Sequence, residues 1–228
     1  MIEAFLFDLD GVLTDTSEFH FQGWKHMAED LGLPFTREDN EALRGVSRRE
    51  SLALLLKGKA VSDEEAQQYM DRKNGYYLEL VRQMTPANLL PGAREILEEL
   101  AAMGLKRAIV SSSKNTPLVL ERLQISHLVD GVVDGNAPAR SKPFPDLFIL
   151  GAALFALPPS KCIVVEDATA GVEAAHAAGM KAVGLGPIER VGMAELVLPS
   201  LEGHSAKEIL AMLGEERYLT DLLAFLNA

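Results

Sequence analysis

Two aspartates, Asp8 and Asp10, stand two residues apart at the end of a short apolar run, AFLFDLD. Such a run reads as a buried strand, so both acids fall on one face of it, about 6.6 Å apart at the strand rise. A second acidic pair, Glu166 and Asp167, closes another apolar run, KCIVVED. Carboxylates gathered at neighbouring strand ends repel one another unless a cation neutralises them. An all-oxygen donor set suits Mg2+, which binds few carboxylates and keeps water and phosphate oxygens in its shell. The alternative for Asp167, directly ahead of ATAGVEAA, is that it caps the following helix. Lys142 ends a loop after a strand, where a cation can offset a phosphoryl oxygen. Ser111 ends its own strand, and Lys114 and Asn115 stand at a helix start, a natural anion site.

These groups are far apart in the chain, so a fold must gather them. From Pro91 onward the pattern alternates between helix and strand: PGAREILEELAAMG, KRAIVSS, TPLVLERLQ, GVVDG, FPDLFILGAALFAL, KCIVVED, TAGVEAAHAAG, AVGLG and ELVLP, with a helical C-terminus. Alternation of this kind predicts an α/β fold, a Rossmann-like, doubly wound parallel sheet covered on both faces. Its sites form outside the carboxyl ends of the strands, where all the groups above fall. From Ser17 to Met84 the character changes to helices with few β-branched residues. Residues 1–15 and 86–228 are therefore read as the core and residues 16–85 as an inserted helical cap domain. There is no GxxxxGK[ST] and no GxGxxG, which argues against a P-loop or dinucleotide site.

The composition sets further bounds. The 228 residues carry 22 basic and 33 acidic side chains, a net charge of −11, which disfavours nucleic acid and anionic membrane as partners. No apolar run approaches the roughly 20 residues of a membrane helix. The N-terminus has no basic leader, and a cytoplasmic protein is expected. Cys162 is the lone cysteine. It reads as a small core residue on a strand rather than a nucleophile.

Asp8-Leu9-Asp10-Gly11-Val12, Ser111, Lys142-Pro143 and Glu166-Asp167, in that order, resemble the four motifs of the haloacid dehalogenase superfamily, and the helical insertion resembles that family's small α-helical cap. The stretches DLDGVLTDTSEFHFQGW, LRGVSRRES, DRKN and SSSKN extend the likeness to its sugar-phosphate mutases. The resemblance implies that Asp8 is the nucleophile that becomes an aspartyl-phosphate and that Asp10 is the general acid and base. Mg2+ is expected on the Asp8 carboxylate, the Asp10 carbonyl, Glu166 and Asp167, with Ser111 and Lys142 on the transferring phosphoryl group.

A mutase must also grip a second phosphate. By resemblance Arg48 does so, with Ser112, Ser113, Lys114 and Asn115 on phosphate or sugar, and Arg44, Gly45, Val46, Ser47, Ser51, Trp24 and Lys73 lining the substrate side of the cap. Taken without the family, Arg49 serves as well as Arg48, Lys73 reads as a surface lysine, and Trp24 and His20 read as packed side chains. The resemblance assigns Thr16 and His20 to coupling cap closure to Asp10. The sequence before Lys142, NAPAR with Pro138 and Arg140, departs from the family pattern, as do Ser112 and Arg44, which bears on the sugar preferred. The implied reaction interconverts β-D-glucose 1-phosphate and glucose 6-phosphate through β-glucose 1,6-bisphosphate, in a monomer acting on small sugar phosphates. The alternatives are a Mg2+-dependent sugar-phosphate phosphatase on the same fold and a non-catalytic phosphate-binding protein. The last would be expected to lack one of the acids, and all are present.

Overall fold

The computed structural model describes residues 1–43 and 46–215. Six strands form one parallel sheet: β1 (Ala4–Phe7), β2 (Lys106–Val110), β3 (Gly131–Val133), β4 (Cys162–Glu166), β5 (Lys181–Leu185) and β6 (Leu196–Leu198), in the order β3-β2-β1-β4-β5-β6. β1 is central, and its four residues AFLF are all buried, which is why the run is continuously apolar rather than alternating.

Alternate side chains of each strand feed two separate cores. On one face Phe5, Phe7, Ile109, Ile163 and Val165 meet α5 (Ala93–Ala102), α6 (Thr116–Leu123) and α10 (Ala206–Met212). On the other, Ala4, Leu6, Val110 and Val164 meet α7 (Asp146–Ala153), α8 (Thr169–Ala177) and α9 (Ile188–Val191). The strand order turns back at β1, so the carboxyl ends of β1, β2 and β4 lie side by side at the switch point where α/β folds place their sites.

Four helices fill the stretch after β1: α1 (Ser17–Asp30), α2 (Arg37–Glu41), α3 (Arg48–Leu56) and α4 (Asp63–Val81). α2, α3 and α4 each begin with a capping box, closed by Thr36 with Asp39, Ser47 with Glu50 and Ser62 with Glu65. Trp24, Met27, Leu52, Leu55, Leu56 and Met70 give these helices an apolar centre of their own. α4 serves both bodies: Ala66 and Met70 pack in that centre, whereas Tyr77 and Val81 pack in the sheet's first core. α2 has no counterpart in the sequence reading, because five residues with one buried side chain show no periodic stripe. The expected C-terminal helix is represented by α10; residues 216–228 lie outside the described residues. Among the described residues, no helix is long and apolar enough to cross a membrane. Cys162 is buried on β4, and burial, then Glu3, raises its thiol to about 11, as a core thiol requires.

Candidate active site

The floor of the site is a buried ion cluster. Asp8 follows β1 and continues its ladder, its N–H donating to Val165 O at 2.9 Å. The Lys142 ammonium, with no exposed surface, donates to the Asp8 carboxylate, to Glu166 Oε1 at 2.6 Å and to Val110 O at 3.0 Å. Burial pulls Lys142 down, but the Asp8 and Glu166 carboxylates outweigh it and hold the ammonium above the usual lysine range. Glu166 is pushed up by burial, against the pull of Lys142, and its Oε2 accepts the Ala168 N–H at 2.9 Å.

Asp10 does not continue the strand. β1 ends at Phe7, and the chain turns through Gly11, whose φ of +79° suits glycine. The turn brings the Asp10 N–H onto Asp8 Oδ2 at 2.9 Å, so the two acids face each other across a bend rather than along a strand. The Asp10 carboxyl, 26% exposed, sits at the closed end of the cleft and accepts the Thr16 hydroxyl. Burial, then the Asp8 charge, raises it to about 7, against the lowering hydrogen bond from Thr16.

Above Asp10 lies a cationic stack from the helices. His20 Nε2 is 3.9 Å from Asp10 Oδ2, and His20 Nδ1 is 2.8 Å from Lys73 Nζ. Lys73 is buried, its ammonium about 5 Å from the ring centres of Trp24 (5.0 Å) and Tyr77 (4.9 Å). Burial drives both His20 and Lys73 well below their usual values. Lys73 and then Arg48 push His20 further, and Arg48 pushes Lys73. The lysine is thus a core feature, not the surface residue that its polar helix suggests.

Two glycines make room for the acids. A Cβ on Gly11 would stand 2.2 Å from Asp167 Oδ2, which places that carboxylate against the Asp8–Asp10 turn; one on Gly171 would stand 1.9 Å from Glu166 Oε1. The N-cap position of α8 is Ala168, which has no side-chain cap bond. Arg190 donates to the Asp167 main-chain oxygen at 2.6 Å. Among the described residues, no three Asp, Glu, His or Cys side chains converge as a cation cage. The groups able to hold a hard divalent cation are the Asp8 and Asp167 carboxylates and the Asp10 carbonyl, and the oxygen-only set suits Mg2+. Both Glu166 oxygens accept from Lys142 and the Ala168 N–H, as both Asp8 oxygens accept from Lys142 and the Asp10 N–H.

A cleft of about 580 Å³ opens over this floor, between sheet and helices. Asp8, Asp10, His20, Trp24, Val46, Ser47, Arg48, Ser51, Lys73, Ser111, Ser112, Ser113, Lys114 and Asp167 all line it. Lys142 and Glu166 lie beneath the lining, and Thr16 lies behind Asp10. Asn115 is turned elsewhere: its side-chain amide donates to Asn74 Oδ1 on α4 at 2.8 Å. Arg44 and Gly45 lie outside the described residues. The surroundings of the adjacent arginines differ. Arg48 is half-buried in the cleft, whereas Arg49 reaches out to Asp63 at 2.5 Å, although its chain also borders the opening. Asn40, Leu43, Gln67, Met70, Arg140 and Phe144 line the cleft without having been singled out as site residues. Only Arg140 gave a signal, through the departure in NAPAR.

A scaffold of this topology with these strand-end groups defines a class. The chain belongs to the haloacid dehalogenase-like hydrolase family, whose signature spans residues 5–185. Within it, the chain is 43% identical to β-phosphoglucomutase of Bacillus subtilis, over 86% of this chain and 89% of that protein. It is 30% identical to a phosphorylated carbohydrates phosphatase of Thermotoga maritima, over 80% and 84% of the two chains. The crystal structure of β-phosphoglucomutase from Clostridium difficile superposes with a TM-score of 0.91 at 36% identity, covering 94% of this chain and 98% of that one.

Proposed function

We propose that this protein is a phosphomutase that interconverts β-D-glucose 1-phosphate and glucose 6-phosphate through β-glucose 1,6-bisphosphate. The relatives support an isomerase, and 43% identity with a β-phosphoglucomutase over most of both chains favours it over the phosphatase reading, which rests on a more distant relative. The observation that carries the proposal within the structure is the two-ended cleft. Asp8 lies at its floor, and Arg48 and the Ser47–Ser51 turn of α3 line its cap side. A bisphosphate needs an anion site at each end; a phosphatase needs one.

In this reading Asp8 attacks the phosphorus of the bound phosphate and becomes the aspartyl-phosphate. The leaving sugar oxygen takes a proton from Asp10. The aspartyl-phosphate then passes its phosphoryl group to the free hydroxyl at the other end of a bound sugar monophosphate, whose proton returns to Asp10, and the bisphosphate so formed turns end for end before Asp8 attacks again. An Asp10 value of about 7 suits a group that must give and take a proton near neutrality. Thr16 holds the Asp10 carboxyl, and His20 and Lys73 stand beside it, which supports their role in linking the helices' position to the acid. Ser111, Ser113 and Lys114, which line the cleft ahead of α6, supply donors toward phosphate. Lys142 holds Asp8 and neutralises charge on the transferring group. Asp8, the Asp10 carbonyl and Asp167, with Glu166 alongside, would hold Mg2+, which supplies charge neutralisation at the phosphoryl oxygens. Residues 1–15 and 86–228 then act as the chemical body and residues 16–85 as the closing body, in a cytoplasmic monomer.

The test is a paired assay with β-glucose 1-phosphate, Mg2+ and a trace of glucose 1,6-bisphosphate, following glucose 6-phosphate and free phosphate together. Glucose 6-phosphate is expected as the main product; free phosphate as the main product would establish the phosphatase instead. Asp8→Asn is expected to abolish both.

A further inference from the structure

The large apolar side chains that stand exposed among the described residues are Met1, Leu54, Val132, Phe144, Ile149, Leu150, Leu154, Ile188, Met193 and Met212. Phe144 alone of these lines the cleft, at 43% exposure, and it is the one aromatic among them. The other described aromatic of the cleft wall, Trp24, is 2% exposed and keeps its face in the packing of the helices. Phe144 is thus the exposed aromatic surface of the cleft wall.

The ring is held in place. Phe144 follows Lys142 by two residues, and Lys142 is anchored on Asp8, so the ring's distance from the floor of the site is set by the chain itself. The Phe144 N–H closes a turn onto Ser141 O at 3.1 Å. The Arg140 guanidinium stands 4.3 Å from the ring centre. Asp146, in the first turn of α7, fixes that guanidinium through Nε at 2.9 Å and Nη2 at 2.8 Å, and also accepts the Arg140 N–H at 3.2 Å. With its charge matched by a bidentate carboxylate, Arg140 is a brace for the ring rather than a phosphate ligand.

We propose that Phe144, braced by Arg140 and Asp146, is a specificity-determining residue: a flat wall on the sheet side of the cleft against which the ring of a pyranose phosphate rests. The C–H bonds on one face of a pyranose carry the positive end of their dipoles outward and complement the negative face of an aromatic ring; an acyclic or very small phosphate offers no such face. The proposal deepens the sugar-phosphate reading and rests on it for the substrate class.

The experiment compares wild type with Phe144→Ala, Phe144→Leu and Phe144→Tyr. Glucose 6-phosphate formation from β-glucose 1-phosphate gives KM and kcat for the sugar, and phosphate release from acetyl phosphate gives kcat/KM for a donor without a ring. In Phe144→Ala the ratio of the two kcat/KM values is expected to fall about fivefold, chiefly through the sugar's KM. Phe144→Tyr keeps the ratio, and Phe144→Leu, with bulk but no flat face, does not restore it. An unchanged ratio in Phe144→Ala, or full restoration by Phe144→Leu, overturns the proposal. A wild type that releases phosphate without forming glucose 6-phosphate defeats the mutase reading alone; the same ratio, taken with glucose 6-phosphate as the phosphate donor, then decides the role of Phe144.

Discussion

Replacing Lys142 with methionine tests the buried charge cluster by itself, apart from turnover. The substitution keeps the length of an apolar stem but removes an ammonium that joins Asp8, Glu166 Oε1 and Val110 O with no exposed surface. Two carboxylates then share a buried floor without a counter-charge. Glu166 can escape only by taking up a proton. For a carboxyl that ordinarily titrates at 4.5, that proton costs about 3.4 kcal/mol at pH 7. Leaving Val110 O without its donor adds about 1 kcal/mol. The total agrees with the roughly 3–5 kcal/mol expected for breaking a buried pair. The sign with pH follows from linkage. The variant's folded state binds a proton that the unfolded state has released, so its stability falls as pH rises through the window above 4.5. At pH 5 the proton costs only about 0.7 kcal/mol, and most of the deficit disappears. Guanidinium unfolding in EDTA at pH 5 and pH 7 measures both. A deficit below about 1 kcal/mol at pH 7, or one of equal size at the two pH values, would refute the reasoning.

Three further perturbations probe neighbouring parts of the site. Asp10→Asn removes a carboxyl raised to about 7, so it is expected to change stability little near pH 4 and to raise it by up to about 4 kcal/mol at pH 8, read by urea unfolding in EDTA. Lys73→Met removes a cation that holds His20 down, so the imidazole moves back toward its ordinary 6.5, as an NMR titration would show; the loss of stability between pH 7 and pH 5 caused by charging His20 then shrinks. Gly171→Ala puts a Cβ 1.9 Å from Glu166 Oε1 and is expected to cost more than about 2 kcal/mol along with turnover. Gly75→Ala, in α4 with open space around it, is expected to gain up to about 1 kcal/mol; the two melting curves give the contrast.

The parts of this site that were legible in the sequence are those that the fold's periodicity places. β1 and β4 are continuous apolar runs because they are central, and the acids at their ends then fall together without any knowledge of side-chain contacts. What could not be read is burial created by pairing across the chain. Lys142 reads as a cation placed toward phosphate, but nothing local shows that it is buried against Asp8, 134 residues away, and Lys73 looks like a surface residue until α1 covers it with Trp24 and His20. Asn115 carries the expected position for a phosphate contact, yet its amide bonds Asn74 on α4, a tie between sheet side and helices that no local pattern announces. Phe144 is a related case: nothing in an aromatic between two prolines announces that it stands exposed in the wall of a cleft.

The charge problem of an acidic chain that handles phosphates has a local answer, and the answer is conditional. A chain of net charge −11 gathers Arg48, Lys73, Lys114 and Lys142 at or beneath one cleft. Their charges are not equally available. That of Lys142 is matched by two carboxylates, and burial moves Lys73 and His20 toward their neutral forms, so Arg48 and Lys114 carry the attraction at the mouth. A phosphate dianion beside Lys73 and His20 would oppose the burial and the neighbouring cations that depress them, because an anion favours the protonated form of each. On the proposed function, proton uptake by this pair on phosphate binding would make the cleft more positive, within reach of Asp10, 3.9 Å from His20. Binding charge and acid–base readiness are thus carried by one contiguous cluster, which a site built from permanently charged arginines could not provide.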